Sequence, residues 1–366
     1  MPIKNKFYDI ISFENLIRAE KNTSKGKRYT TEVLSFHNNF EENILDIRNR
    51  LEKLDLPLTH YSTFLVYDPK VRIVIYIDYK SKIIQRAIYD ILNPEICKML
   101  ITDTYSCIEG RGQLKAMQRL YDWFQIQTRS NQKWYYYKFD VSKFFYRIDH
   151  EILMNICSKM IKDPYTVELI RYYICSNRRP FGMPIDGNHL TIKEDEMLWE
   201  CGIPIGGGLS HMLGNMYLDP LDQYAKRTLG IKKYIRYMDD IIIVDCDKQR
   251  LKEYRTKMEM FLNDRLKLIF NNKTALRPVN CGCEFVGYNI FPDHVNLRKQ
   301  TTLRMKRQLK RVANRYKYYE IDFAKANETV QSYLALLKYS DNKRFKEKLW
   351  SEFVLTHNLE VHDEQH

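Results

Sequence analysis

The stretch Lys233-Tyr-Ile-Arg-Tyr-Met-Asp-Asp-Ile-Ile-Ile-Val-Asp-Cys-Asp247 constrains the fold more than any other part of the chain. Two adjacent carboxylates, Asp239 and Asp240, lie between runs rich in β-branched and aromatic residues. That pattern predicts strand, tight turn, strand, with the acids at the hairpin tip. Two acids set together among apolar strands are costly unless something cationic neutralises them. A divalent metal ion is the simplest candidate.

A third acid sharpens this reading. Lys138-Phe-Asp-Val-Ser-Lys-Phe-Phe-Tyr-Arg-Ile-Asp149 follows the aromatic run Trp134-Tyr135-Tyr136-Tyr137, which favours a strand with Asp140 near its end. A strand-borne Asp well upstream of a hairpin-borne Asp-Asp is the layout of a polymerase palm. There, two Mg²⁺ ions roughly 3.5–4 Å apart clamp the attacking and leaving oxygens, and carboxylates suit Mg²⁺ because it prefers hard oxygen ligands.

Further segments stand in order around these acids. They are Phe139-Asp140-Val141-Ser142-Lys143-Phe144-Phe145, Gly202-Ile-Pro-Ile-Gly-Gly-Gly-Leu-Ser210, Asn272-Lys273-Thr274 and Glu284-Phe-Val-Gly-Tyr288. With the Tyr237-Met-Asp-Asp240 box, this series resembles the reverse transcriptases of the bacterial lineage that includes group II intron, retron and diversity-generating retroelement enzymes. The resemblance runs from about Phe64 to about Leu349.

The resemblance implies an α+β right-hand polymerase fold of fingers, palm and thumb, with an antiparallel palm sheet and a helical thumb. It implies an N-terminal extension over residues 1–60, fingers and palm over 61–295, and a basic helical thumb and tail over 296–366. Asp140, Asp239 and Asp240, with the Val141 carbonyl, would hold two Mg²⁺ ions, with Mn²⁺ as a substitute. Lys273 would meet the leaving pyrophosphate. Phe145 would lie beneath the sugar of the incoming nucleotide and select deoxynucleotides by clashing with a 2′-hydroxyl. Arg72, Arg111, Ile205 and Gly206 are nucleotide-binding candidates. Phe285, Gly287 and Tyr288 resemble a primer-grip hairpin. Many relatives carry Gln where this chain has Ile205, which leads to an expectation of lower fidelity. The following Gly207-Gly208-Leu209-Ser210-His211 departs from the Asn-Leu-Thr-Ser-Gln of the diversity-generating subgroup, so a solo or phage-defence enzyme is an equal expectation. The implied partners are a structured non-coding RNA template, the DNA product and dNTPs, with room for a homo-oligomer or an accessory protein.

Composition agrees with a polyanionic partner: 59 Lys and Arg against 46 Asp and Glu give a net charge of +13. Residues Arg298 to Lys317 hold nine of the basic residues. Met305, Leu309, Val312 and Tyr316 share one helical face, and Arg304, Arg307, Arg311 and Arg315 another. Such a helix suits a phosphate backbone. Eight cysteines without zinc-like pairing predict reduced thiols. No segment reaches membrane-spanning length, and the expectation is a soluble cytoplasmic protein. Local signals predict a helix from Glu32 to Leu54, a hairpin over residues 64–78 turning at Asp68-Pro69, a helix from Lys80 to Leu92 ended by Pro94, and a helix from Leu209 to about Arg227 bent at Pro220. Three other functions fit the same residues: a template-independent or protein-primed DNA polymerase, an RNA-dependent RNA polymerase, which Phe145 disfavours, and a non-catalytic RNA-binding scaffold.

Overall fold

The computed structural model describes residues 2–56, 61–66, 72–130, 132–175, 180–188, 190–272 and 274–357. The chain opens with helices α1 (Phe7–Ile11), α2 (Phe13–Ser24), α3 (Thr31–Asn38) and α4 (Phe40–Lys53). Ser12 caps α2 by accepting from the Asn15 amide. The single helix expected from Glu32 to Leu54 is two. Asn39 leaves the helical conformation, and the Asn43 side chain donates to the Phe36 carbonyl at 2.9 Å, satisfying an acceptor that the break exposes.

Strands β1 (Tyr61–Val66) and β2 (Arg72–Ile77) form the expected antiparallel hairpin. Its turn at Asp68-Pro69 lies outside the described residues. Helix α5 (Tyr79–Met99) starts at Asp78, whose side chain accepts from the Ser81 amide. It does not end at Pro94. Leu92 and Ile96, on either side of the proline, are fully buried. Each such burial contributes about 1.5–3 kcal/mol, which offsets the roughly 3 kcal/mol cost of an interior proline.

Helices α6 (Gln113–Phe124) and α7 (Ile126–Arg129) lead into β3 (Tyr135–Asp140), followed by α8 (Phe144–Arg147), α9 (His150–Met160) and α10 (Pro164–Cys175). Asp149 caps α9, and Pro164 takes the first position of α10, where its missing N–H costs nothing. Helix α11 (Gly208–Gln223) buries Leu209, Leu213, Met216 and Leu221, the expected face. Past Pro220 it widens into a π-helical turn over Tyr224–Thr228, in which the Leu229 amide reaches back to the Tyr224 carbonyl. Strands β4 (Tyr234–Tyr237) and β5 (Asp240–Asp245) precede α12 (Lys248–Leu266). Strands β6 (Ala275–Pro278), β7 (Cys283–Phe285), β8 (Tyr288–Ile290) and β9 (Val295–Leu297) then lead to α13 (Lys299–Lys317), α14 (Phe323–Lys338) and α15 (Lys343–Glu352).

The described strands form three sheets: β1-β2, β4-β5-β3-β6 and β7-β8-β9. In the four-stranded sheet, Ile241, Ile242, Ile243 and Val244 of β5 are all buried, as befits a central strand covered on both faces. The chain divides into two compact units. One comprises Met1–Gly112, Tyr137–Ile243 and Gln249–Ala275; the other comprises Gln113–Tyr136, Val244–Lys248 and Leu276–His366. None of the eight cysteines forms a disulfide. Among the described residues no helix is long and apolar enough to cross a membrane.

Candidate active site

The β4–β5 hairpin closes with the pair Tyr237 and Asp240, leaving Met238 and Asp239 as a two-residue turn. Met238 takes φ 56°, a conformation that hairpin turns usually give to glycine. Arg236 accounts for how a methionine is held there. Its side chain is fully buried, and its guanidinium donates to the Met238 carbonyl at 3.0 Å and to Asn215 Oδ1 at 3.0 Å. The same fork grips both oxygens of buried Asp222 at 2.7–2.9 Å. Asp222 also accepts from Tyr234 at 2.6 Å and Thr104 at 3.1 Å. A buried ion pair holds only when its remaining hydrogen-bonding capacity is met, and here many of those positions are taken.

The sheet order sets β3 beside β5, so the strand ending at Asp140 runs next to the strand beginning at Asp240. The Val141 amide donates to the Asp239 carbonyl at 3.4 Å. Asn271 brackets Asp140 from the other side: its amide donates to the Asp140 carbonyl at 2.6 Å and its side chain to the carboxylate at 3.2 Å. Asp140, Val141, Asp239 and Asp240 therefore meet at one end of the sheet. Lys138, on the same face of β3 as Asp140, sets its ammonium 3.1 and 3.3 Å from the two Asp240 oxygens.

These donors suit a divalent ion in kind, being hard oxygens around a point that already attracts a cation. Among the described residues, however, no three His, Cys, Asp or Glu side chains are drawn together as a formed metal cage.

Phe145 lies on α8, half-buried. Its ring stands perpendicular to that of His211 with centroids 5.7 Å apart. Gly214 leaves room for it: a Cβ there would come within 3.1 Å of Phe144 and 3.4 Å of Phe145. The Ile203 amide donates to the Phe145 carbonyl at 3.0 Å, which ties α8 to the glycine-rich loop. In that loop Ile205 is half-buried, and Gly206 is exposed at φ 125°. Gly206 and the residues after it border a cavity of about 430 Å³, with Tyr76, Lys82, Arg86 and Tyr89 on its other walls.

Arg111 turns inward, donating to the Ile101 and Thr104 carbonyls at 2.8 and 3.1 Å. Arg72 opens β2, where it pairs with Val66. Lys273 lies outside the described residues.

The remaining candidates belong to the other unit. Phe285 and Tyr288 are buried, so the part of their hairpin available to a strand is the Val286-Gly287 turn. Both turn residues have positive φ. The Gly287 carbonyl accepts from the Arg298 amide at 3.0 Å and from Thr301 at 3.1 Å, which fastens the start of α13. Helix α13 buries Met305, Leu309 and Val312 and exposes Arg304, Arg307, Arg311 and Arg315. Arg315 is ion-paired with Glu320 at 3.1 Å.

Lys138, Arg236 and Asn271 are site residues that the sequence reading overlooks. Lys138 was visible as the residue two before Asp140, and Arg236 as a charge inside an apolar strand. Asn271 gave no local signal.

Residues 67–290 match the family described as reverse transcriptase (RNA-dependent DNA polymerase). Among curated proteins, protein YkfC of Escherichia coli (strain K12) is 24% identical over an alignment of 184 positions, with 41% of this chain and 45% of that protein covered. Among solved structures, telomerase from Candida albicans in complex with a TWJ fragment of telomeric RNA has a TM-score of 0.51 at 11% identity, covering 84% of this chain and 58% of that one. The corresponding complex from Candida tropicalis has a TM-score of 0.51 at 12% identity, covering 76% and 53%. At such identities the likeness shows the polymerase fold alone. The chain spans about half the length of each of these relatives.

Proposed function

This chain belongs to the reverse transcriptase (RNA-dependent DNA polymerase) family, and from that membership we propose that it copies a structured RNA into DNA by nucleotidyl transfer at Asp140, Asp239 and Asp240. The observation that carries the reading is the meeting of the β3 end with the Met238-Asp239 turn, through the bond from Val141 to Asp239. The three carboxylates and the Val141 carbonyl would hold the divalent ions. When bound, Mg²⁺ or Mn²⁺ supplies polarisation of the α-phosphate and a more acidic primer 3′-hydroxyl.

The chain's own residues orient the rest. Arg236 holds the turn that carries Asp239. Lys138 balances the charge of Asp240, at the place a cation would occupy. Phe145 sits under the sugar and excludes a 2′-hydroxyl. Lys273 meets the pyrophosphate. Ile205, Gly206 and Arg72 border the nucleotide, while Arg111, turned inward, braces the loop before α6. The Val286-Gly287 turn steadies the primer end, and the α13 arginines track the template–primer backbone. The biological setting that fits is a bacterial retroelement or an antiphage defence system.

The test is primer extension on a defined RNA template with dNTPs and Mg²⁺. The native chain should make DNA complementary to the template. Asp239→Asn should lose at least a hundredfold in rate while RNA binding stays within about twofold. Undiminished synthesis by Asp239→Asn, or product made without regard to the template, contradicts the proposal.

A further inference from the structure

Helix α8 carries Phe145 yet has only four residues. So short a helix cannot hold itself, because its few internal bonds do not offset the ordering of its backbone. Two other segments hold it instead. The Ile203 amide donates to the Phe145 carbonyl at 3.0 Å, the Met183 amide to the Tyr146 carbonyl at 3.2 Å, and the Gly202 amide to the Ile148 carbonyl at 2.8 Å. The two segments also lie against each other, since a Cβ at Gly202 would come within 2.4 Å of the Gly182 nitrogen. The orientation of Phe145 is therefore set by whatever fixes residues 182–187 and 202–203.

Lys143 does this for the first segment. It leads into α8 at φ 50°, a left-handed conformation that lysine seldom takes. From there its ammonium donates to the carbonyls of Pro184 at 3.2 Å, Ile185 at 2.6 Å and Gly187. An ammonium has three hydrogens to donate, and three carbonyls stand around this one. At the other end of α8, Arg147 donates to the Met183 carbonyl at 3.1 Å. Both ends of the helix are thus tied to one loop by charged donors, which make the stronger hydrogen bonds. Those bonds sustain the strained entry into α8.

We propose that Lys143 is a positioning residue: by clamping the 184–187 loop to α8 it fixes the angle of the Phe145 ring and so sharpens the choice of deoxynucleotides over ribonucleotides. The effect on sugar choice rests on the proposed placement of the nucleotide at Phe145, whereas the clamp does not. A lysine whose ammonium is already surrounded by carbonyls of its own chain acts through the loop rather than on a phosphate.

The experiment measures kcat/KM for a dNTP and for the matching rNTP in primer extension by the full chain, and follows backbone amide hydrogen exchange in the same proteins. Phe145→Ala should lower the preference for the deoxynucleotide about a hundredfold, and Lys143→Met about tenfold, mainly by admitting the ribonucleotide. Lys143→Met should also speed exchange in peptides spanning residues 181–187 and 202–203 while leaving α14 unchanged. Arg147→Gln, which removes the second tether, should move both readings the same way, and it decides the matter should Lys143→Met fail to fold.

Exchange unmoved by either variant overturns the clamp. Faster exchange with an unaltered preference, where Phe145→Ala does alter it, overturns the link to sugar choice. An equal rise in KM for both nucleotides at constant preference makes Lys143 a ligand of the triphosphate and overturns its positioning role. A preference that Phe145→Ala leaves unmoved, or absence of synthesis by the native chain, counts against the reading of the site itself, while exchange still decides the clamp.

Discussion

In the proposed site, Lys138 lies beside Asp240 where a bound cation would sit. Their pairing spans 3.1 Å on a half-exposed surface, where such contacts are worth about 0–1 kcal/mol, so an arriving ion can displace the ammonium. Lys138→Gln should tighten Mn²⁺ binding to the RNA-free chain severalfold in an electron paramagnetic resonance titration; unchanged or weaker binding sinks the competition. Asp219, behind the hairpin on α11, titrates unusually. Burial first, and then the charge of Asp222, push it up to about 6 against the pull of Gln223, Arg236 and Arg227. An acid raised on folding adds stability below its unfolded value, and that stability is lost as pH climbs through the folded one. Asp219→Asn should therefore melt near the wild type at pH 4.5 and several degrees above it at pH 8. A higher melting temperature at both pH values refutes this account. The pairing of Lys138 with Asp240 was overlooked, but that Asp140 ends a strand and Asp239 and Asp240 sit at a hairpin was legible, because strand alternation and the apolar flanks restrict where charges can go. The partnership of Asn271 with Asp140 was not, because it arises where two chain segments 131 residues apart meet.

At the scale of elements, apolar periodicity located the helices at α3–α4, α5, α11 and α13, but local punctuation was overruled. Pro94 failed to end α5 because the buried residues around it hold the helix on. At Asn39 a helix divided although its apolar pattern continued, since Asn43 could satisfy the exposed carbonyl. Helix α13 is the element whose two faces read most clearly from sequence, with Met305, Leu309 and Val312 inward and the arginines outward. If those arginines follow a phosphate backbone, replacing Arg304, Arg307 and Arg311 with alanine should weaken RNA binding at least tenfold. The slope of log affinity against log salt should flatten by about 0.7 per lost contact. An unchanged slope would mean that α13 faces something other than nucleic acid.

For the whole molecule, the ordered motifs fixed family and fold class because catalytic acids need a particular sheet to carry them. The charge of +13 agreed with a nucleic-acid partner but could not identify one. The division into two interleaved units was not legible, since each unit is assembled from three separated chain segments whose contacts no local pattern records. The account stands on Asp140, Asp239 and Asp240 sharing bound cations. The most direct measurement is anomalous scattering from crystals of the RNA-bound chain soaked in Mn²⁺ with a nonhydrolysable dNTP. Manganese peaks within coordination distance of both Asp140 and Asp239 are the predicted result; an Asp140 carboxylate that contacts no manganese while the nucleotide is bound would contradict it.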